Sequence, residues 1–278
     1  ETAFDIWVMN ADGTGAKKLL TSSRKVRYGD PAFTPDGKII LGVLRRNSRR
    51  AQARIITMAV DGKSRKTLHV LKQRFRPWFG YKVLSEPVLS PNGKKLLYLI
   101  EPDPEGYFDD GGYDSELWLM DLASKSSRKV TAHSRGAAWA PGGNRIVFSE
   151  VDVEGSNEFC WNFDHSCASF SRLRVSNPNG SGVRDLTRGV ANETKPDWSK
   201  DGRIVFESTR GASRSVAETA EVWSVRPDGR CLTRLTNGSP ASLAPVWSDA
   251  SAGSTMPSSC GAKPPGPNAE MTPAVNAA

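Results

Sequence analysis

Two short phrases alternate along the chain, and this internal repeat constrains the fold more than any other feature. The first phrase occurs at residues 31–37 (PAFTPDG), 87–93 (PVLSPNG), 137–143 (AAWAPGG) and 196–202 (PDWSKDG), with a broken copy at 245–249 (PVWSD). The second occurs at residues 6–13 (IWVMNADG), 55–62 (IITMAVDG), 117–122 (LWLMDL), 173–180 (LRVSNPNG) and 222–229 (VWSVRPDG). Several short strand-like runs within a period of about 50 residues are typical of β-propeller blades.

The runs between these phrases are short, rich in β-branched and aromatic residues, and bounded by Asp-Gly or Asn-Gly. They therefore predict antiparallel strands joined by tight hairpins, in which glycine supplies the positive φ. We expect an all-β fold, a β-propeller of four-stranded antiparallel blades, with complete blades at 30–70, 85–133, 136–189 and 195–237. Residues 5–20 and 243–249 together predict a fifth, closing blade built from both termini; six blades are the alternative.

The alternation of these phrases, closed by an R-x-L-T run such as RDLT at 184–187, resembles the TolB-type propeller repeat. The resemblance covers residues 5 to about 249 and implies the propeller fold, which the propeller domains of prolyl-oligopeptidase-like enzymes share. Resembling proteins often have six or seven blades, so the chain is either a small propeller or part of a longer protein. The predicted domains are a propeller at 1–249 and a Pro/Gly/Ser/Ala-rich tail at 250–278.

The longest connecting segments are expected on one face of the propeller, where loops carry function on a rigid scaffold. Residues 44–52 contain the densest basic run, and residues 71–84 mix cations with aromatic residues. Arginine and aromatic side chains dominate binding hot spots, so these segments predict a partner-binding patch. Its candidate residues are Arg45, Arg46, Arg49, Arg50, Arg74, Arg76, Trp78, Phe79 and Tyr81, with Trp161 from a third loop. The alternative is a solvated loop with aromatic residues packed over the blades.

A further loop is strongly acidic and contains Asp103, Asp109, Asp110 and Asp114. Converging carboxylates bind hard cations such as calcium, although the spacing does not match an EF-hand. A solvated acidic loop that faces the basic one is the other interpretation. No other cofactor is expected.

Cysteines and glycosylation sequons favour an exported chain. The even cysteine count predicts two disulfides, one closing a small loop between Cys160 and Cys167 and one pinning the tail through Cys231 and Cys260. Acceptor sequons begin at Asn179, Asn192 and Asn237, which we expect to be exposed. Residue 1 does not open a signal peptide, so the expectation is a secreted, extracellular or periplasmic protein whose signal is already removed, or a cytosolic or excised chain.

Catalytic motifs are missing from the sequence. There is no G-x-S-x-G, and His69, His133 and His165 lack metal-ligand spacing. The net charge of +8 favours acidic partners, but no motif predicts specific nucleic-acid binding, and no apolar run predicts membrane insertion. We therefore expect a non-enzymatic module that binds another protein or an acidic glycan. The alternatives are a carbohydrate-active lyase or hydrolase with a pore-centred site, and the accessory domain of a longer enzyme.

Overall fold

The computed structural model describes residues 5–10, 14–74, 81–102, 115–151, 170–189, 191–210 and 220–236. The chain divides into two compact units, and the division falls between His133 and Ser134. Within the described ranges every regular element is a β-strand, and none of them contains a helix long and apolar enough to cross a membrane.

Unit 1 contains a two-stranded sheet and two four-stranded antiparallel sheets. The small sheet pairs β1 (Ile6–Val8) with β2 (Lys17–Leu20). Blade 1 has the order β3 (Val26–Phe33), β4 (Ile39–Arg46), β5 (Arg50–Met58) and β6 (Lys66–Arg74). Blade 2 has the order β7 (Lys82–Leu89), β8 (Lys95–Pro102), β9 (Glu116–Asp121) and β10 (Ser127–Thr131).

Unit 2 contains two further four-stranded antiparallel sheets with the same strand order. Blade 3 comprises β11 (Ser134–Trp139), β12 (Ile146–Val151), β13 (Ser171–Ser176) and β14 (Arg184–Asp185). Blade 4 comprises β15 (Glu193–Trp198), β16 (Ile204–Ser208), β17 (Glu221–Val225) and β18 (Thr233–Arg234). The predicted all-β fold of four-stranded antiparallel blades is thus confirmed. Five blades remain a prediction, because residues 243–249 lie outside the described ranges.

The first repeated phrase folds as a five-residue hairpin turn, seen at residues 34–38. The N–H of Gly37 donates to the Thr34 carbonyl (2.9 Å), and the Thr34 N–H donates to the Lys38 carbonyl (2.8 Å). Gly37 has φ of +73°, a conformation that costs other residues about 1 kcal/mol or more. The Thr34 hydroxyl donates to Asp36 Oδ1 (2.6 Å) and accepts the Lys38 N–H (2.9 Å). These bonds explain why the copies in blades 1, 2 and 4 share a hydroxyl, an acidic or amide residue, and glycine.

The first strand of three blades is bulged at a charged residue that precedes proline. Asp30, Glu86 and Lys195 have φ of +50°, +45° and +51°, and each falls at a register shift in its strand. A positive φ costs a non-glycine residue about 1–2 kcal/mol, so the surrounding sheet must hold these residues in place. A bulge before the proline of the first strand is therefore a recurring feature of blades 1, 2 and 4.

Blades 1 and 2 pack directly against each other in unit 1. Their shared core includes Ile40, Ile55, Leu84, Leu96 and Tyr98, each at most 3% exposed. The approach is so close at Gly42 that a Cβ there would lie 2.3 Å from the Leu84 carbonyl oxygen. A second core cluster joins blade 1 to the β1–β2 sheet, and unit 2 has a cluster of its own between blades 3 and 4.

Candidate functional site

The basic segment at residues 44–52 is a strand hairpin and not the loop that we expected. Arg45 and Arg46 end β4, Arg50 begins β5, and only three residues turn the chain between them. The Asn47 side-chain oxygen closes this turn by accepting the N–H groups of Arg49 and Arg50, each at 2.9 Å. The arginines are therefore carried on a rigid extension of blade 1.

Strand register divides the cations of this extension between two faces. Arg45 lies opposite Gln52, which lies opposite Lys72, and Arg50 lies directly opposite Arg74. Because alternate residues of a strand share a face, these cations and Arg54 lie on the same side of the sheet. We call this set the basic face: Arg45, Arg50, Arg54, Lys72 and Arg74.

The opposite face of the extension is buried against blade 2. Leu44, Ala51 and Ala53 are at most 5% exposed and belong to the core that the two blades share. Arg46 lies on this side, opposite Ala51, and its Nε donates to the Arg24 carbonyl (3.4 Å). Arg45 and Arg46 are consecutive in the sequence, but they lie on opposite faces of the sheet and therefore have different surroundings.

Tyr81 holds the extension in place from blade 2. Its side chain is only 7% exposed, and its hydroxyl donates to the Asn47 carbonyl at 2.5 Å. Gln73 adds a second link, because its side-chain oxygen accepts the Lys82 N–H (2.7 Å) and its Nε2 donates to the Lys82 carbonyl. Tyr81 therefore supports the basic face from behind and does not present its ring to solvent.

The basic face carries little internal charge compensation. Arg45, Arg50, Lys72 and Arg74 are exposed, and no carboxylate in the described part of the chain forms an ion pair with any of them. Arg54 is hydrogen-bonded to a neutral group, its Nε donating to Gln52 Oε1 at 2.8 Å. Arg50 and Arg74 are like charges directly opposite each other, an arrangement that destabilises a sheet.

Several predicted site residues lie outside the described ranges. They are Arg76, Trp78, Phe79 and Trp161 of the binding patch, Asp103, Asp109, Asp110 and Asp114 of the acidic loop, and Cys160, Cys167, Cys260 and Asn237. Among the described residues no group of three or more His, Cys, Asp or Glu side chains is placed to hold a metal ion. The binding and calcium roles of these residues stay predictions.

Cys231 and two sequon asparagines are described. Cys231 is disulfide-bonded to a partner outside the described ranges, so its pairing with Cys260 stays a prediction. Asn179 is exposed in the turn after β13, as expected. The expectation of full exposure is wrong for Asn192, because it is half-buried, its side-chain oxygen is enclosed, and its N–H donates to Thr209 Oγ1 (2.9 Å).

Tryptophans recur at matching positions of the repeat, and most of those that the structure describes are packing residues. Trp139 is 5% exposed, and Trp198 and Trp223 pack against the core of unit 2. Trp7 differs, since it is 45% exposed and has the Lys18 ammonium 5.1 Å from its ring centroid. It lies on the small β1–β2 sheet, where few described residues cover it.

Glu193 is a buried acidic residue that we did not predict from the sequence. This residue begins β15, and its carboxylate accepts hydrogen bonds from Arg210 Nη2 (2.6 Å) and from the Thr187 hydroxyl. Its carbonyl accepts the hydroxyls of Ser149 (2.6 Å) and Ser171 (2.9 Å). Glu193 therefore fastens blade 4 to blade 3, which is a structural role.

Glu101 and Asp30 form a pair of nearby carboxyl groups in unit 1 that was also not predicted. Burial raises the pKa of Glu101 above its ordinary value of 4.5, and the nearby negative charge of Asp30 adds to the rise. The Ser115 hydroxyl lies 3.4 Å from Glu101 Oε2 and opposes the shift. A carboxyl group with a raised pKa can donate a proton at higher pH than an ordinary one.

Comparison with solved structures identifies the fold. A TolB-type protein from Agrobacterium tumefaciens is 18% identical, with a TM-score of 0.55 over 84% of this chain and 70% of its own length. TolB from Acinetobacter baumannii is 19% identical, with a TM-score of 0.55 over 86% of this chain and 49% of its own. A puromycin-hydrolysing peptidase from Mycobacterium tuberculosis is 13% identical, with a TM-score of 0.53 over 78% of this chain and 32% of its own.

No protein-family model matches the chain, and neither does any curated protein sequence. The chain spans about half the length of the Acinetobacter protein and a third of the mycobacterial peptidase. At these identities the likeness concerns the fold alone. The chain therefore has the all-β architecture of four-stranded blades found in TolB-type β-propellers.

Proposed function

We propose that this protein is a non-enzymatic propeller module that binds an acidic partner through the basic face. The observation that carries the proposal is the Arg50–Arg74 pair, two like charges held opposite each other without a carboxylate partner among the described residues. Such a pair weakens the isolated sheet, and a negatively charged partner would relieve the repulsion.

The rigidity of the extension supports the same function. Blade 2 buries one side of the hairpin, and Tyr81 anchors its turn, so the cations project from ordered backbone. A preordered surface loses less conformational entropy on binding than a mobile loop does. The partner that we favour is an acidic segment of another protein; an acidic glycan is the alternative.

An exported location is part of the proposal. The disulfide at Cys231 supports an oxidising compartment, because structural disulfides are rare in reducing cytosol. The compartment would be extracellular or periplasmic.

Affinity for a polyglutamate peptide tests this function. We expect R45E/R50E to weaken binding about tenfold or more at low salt and to flatten its salt dependence, since two attractive charges become repulsive. The matched control is K63E/K94E, which changes net charge equally at exposed positions in turns at the other end of blades 1 and 2. Equal losses in the two variants would refute a localised site.

Heparin serves as the polyanionic glycan in the same assay. A protein partner is supported if the native protein binds polyglutamate more strongly than heparin and if R45E/R50E loses the polyglutamate binding. Preferential loss of heparin binding in R45E/R50E would instead favour the glycan. If neither polyglutamate nor heparin bound to the native protein, the proposed function would be refuted.

One observation favours an enzymatic alternative, namely the Glu101 carboxyl group with its raised pKa beside Asp30. In a lyase or hydrolase this group would act as a general acid. Incubation with acidic polysaccharides, comparing the native protein with E101Q, tests the alternative. Turnover that is lost in E101Q would support an enzyme, and lack of turnover would leave the binding function favoured.

A further inference from the structure

Unit 2 contains a second cationic site, independent of the basic face. A cavity of about 350 Å³ lies where turns of blades 3 and 4 meet, and this volume is within the range of small-molecule sites. Three arginines line it together with two aspartates and a proline: Arg145, Arg184, Arg226, Asp201, Asp228 and Pro227. No residue of the cavity was singled out by the sequence.

The turn that carries Arg226 is firmly held. Gly229 has φ of +84°, and a Cβ at this position would lie 2.9 Å from the Leu186 carbonyl oxygen of blade 3. The Gly229 N–H donates to the Arg226 carbonyl (2.8 Å), and Arg184 Nη2 donates to the Pro227 carbonyl. The backbone beneath the cavity is therefore ordered before any ligand arrives.

The two aspartates of the cavity are already engaged. Asp201 is bonded to Arg203 through Nε (2.8 Å) and Nη2 (2.6 Å), and it accepts the Ser199 hydroxyl. Partial burial opposes its ionisation, but these hydrogen bonds outweigh it and lower the pKa of Asp201. Asp228 caps its own turn by accepting the Arg230 N–H (3.0 Å).

The arginines, in contrast, retain free donors. The guanidinium groups of Arg145 and Arg226 contact no carboxylate in the portion of the chain that the structure describes. Arg226 is also not required by the repeat, since the equivalent positions of the other copies hold Asn10, Ala59, Asp121 and Asn177. A guanidinium offers a planar fork of donors that suits phosphate oxygens.

We propose that this cavity binds the phosphate group of a small phosphorylated molecule, with Arg145 and Arg226 as its principal ligands and Arg184 as support. Several guanidinium groups match the charge of a phosphate dianion better than that of a single carboxylate.

Calorimetric titration with glucose 6-phosphate, inorganic phosphate and glucose tests the proposal. Saturable binding of glucose 6-phosphate and none of glucose is expected, with affinity about tenfold lower in R226A and R145A. R226K is expected to recover part of the affinity, because it keeps the charge and loses the fork. R230A is the matched control, since Arg230 lies in the same turn outside the cavity, and it should bind as the native protein does.

Tighter binding of glucose 6-phosphate than of inorganic phosphate assigns the site to phosphorylated sugars, whereas equal binding assigns it to free phosphate; both support a phosphate site. Absence of saturable binding would overturn the proposal, and so would binding that R145A/R226A leaves unchanged. Thermal unfolding of each variant ensures that folded proteins are compared. The test of this cavity is independent of the basic face. R45E/R50E leaves the cavity intact, so this variant should bind glucose 6-phosphate as the native protein does, whether or not it binds polyglutamate.

Discussion

Asp185 lies 3.7 Å from the Arg172 guanidinium, and this pair reverses the charges that blade 4 places at the equivalent positions. There Glu221 on the third strand meets Arg234 on the fourth at 2.9 Å. Blade 2 has the same polarity as blade 4, with Glu116 and Lys129 at 3.1 Å. Blades 2, 3 and 4 therefore each place an ion pair between their third and fourth strands, and its direction differs in blade 3, whereas blade 1 has Arg54 bonded to Gln52 at this position.

Exchanging the charges of blade 3 tests this interpretation. R172E and D185R each place like charges together and should lower the free energy of unfolding. R172E/D185R should lose less than the sum of the two single losses, although Arg174, whose Nε lies 3.2 Å from Asp185 Oδ1, loses this partner in both variants that carry D185R. A favourable coupling of about 0.5 kcal/mol is expected, since both side chains are about one-third exposed. Urea unfolding measures it, and additive losses would show that the pair contributes nothing.

Glu193 should be among the most sensitive polar residues of unit 2. Its side chain is 2% exposed and receives Arg210 and Thr187, so E193A leaves a partly buried guanidinium without its partner. We expect a loss of about 3 kcal/mol in urea unfolding. E193Q keeps the volume and an acceptor and should lose less. A loss under about 1 kcal/mol for E193A would contradict the assigned role.

The first turn of blade 3 can be repaired from its neighbours. Its phrase has Ala140 and Gly142 where the turn of blade 1 has Thr34 and Asp36, so it lacks their hydrogen bonds. A140S/G142D should restore these bonds and raise the free energy of unfolding by about 1 kcal/mol. G143A should lower it by a similar amount, because Gly143 has φ of +67°. Destabilisation by A140S/G142D would show that the hydroxyl does not stabilise the turn.

Glu101 should make stability fall as the pH rises. Its pKa is higher in the folded protein than the ordinary 4.5, so the folded state binds this proton more tightly than the unfolded chain does. The stabilisation is complete below the unfolded pKa and is lost as the pH passes the folded pKa. E101Q should therefore be more stable than the native protein near neutral pH and lose this advantage near about pH 4. A pH-independent difference in Tm would show that burial does not perturb Glu101.

The strand order was predictable because glycine turns and short apolar runs are local signals. The broken first phrase at residues 245–249 predicted the closing strand by the same logic, in a part of the chain that the structure does not describe. The extent of the β4–β5 hairpin was missed because the run of arginines obscured the alternation that follows it. In Ala51-Gln52-Ala53-Arg54 every second residue is buried, which is a readable strand signal.

The composition of the basic face depended on how the strands of blade 1 align with one another and with blade 2. Arg50 and Arg74 become neighbours only through the register of β5 and β6, and Tyr81 reaches from blade 2 to Asn47 of blade 1. A bulge between Ile55 and Ile56 shifts this register by one residue, and the repeated phrases did not reveal it. Glu193 and the arginine-lined cavity of unit 2 had no sequence signal, because the groups that form them come from different strands and blades.

Hydrogen–deuterium exchange of the native protein with and without polyglutamate tests the central claim most directly, because it requires no variant. If the basic face is the binding surface, the peptide will slow amide exchange in the β4–β5 hairpin and in residues 70–74. It will leave the turns at residues 34–38 and 59–65, at the other end of blade 1, unchanged. Protection confined to those turns or to unit 2, or no protection under conditions where the peptide binds, would contradict the account.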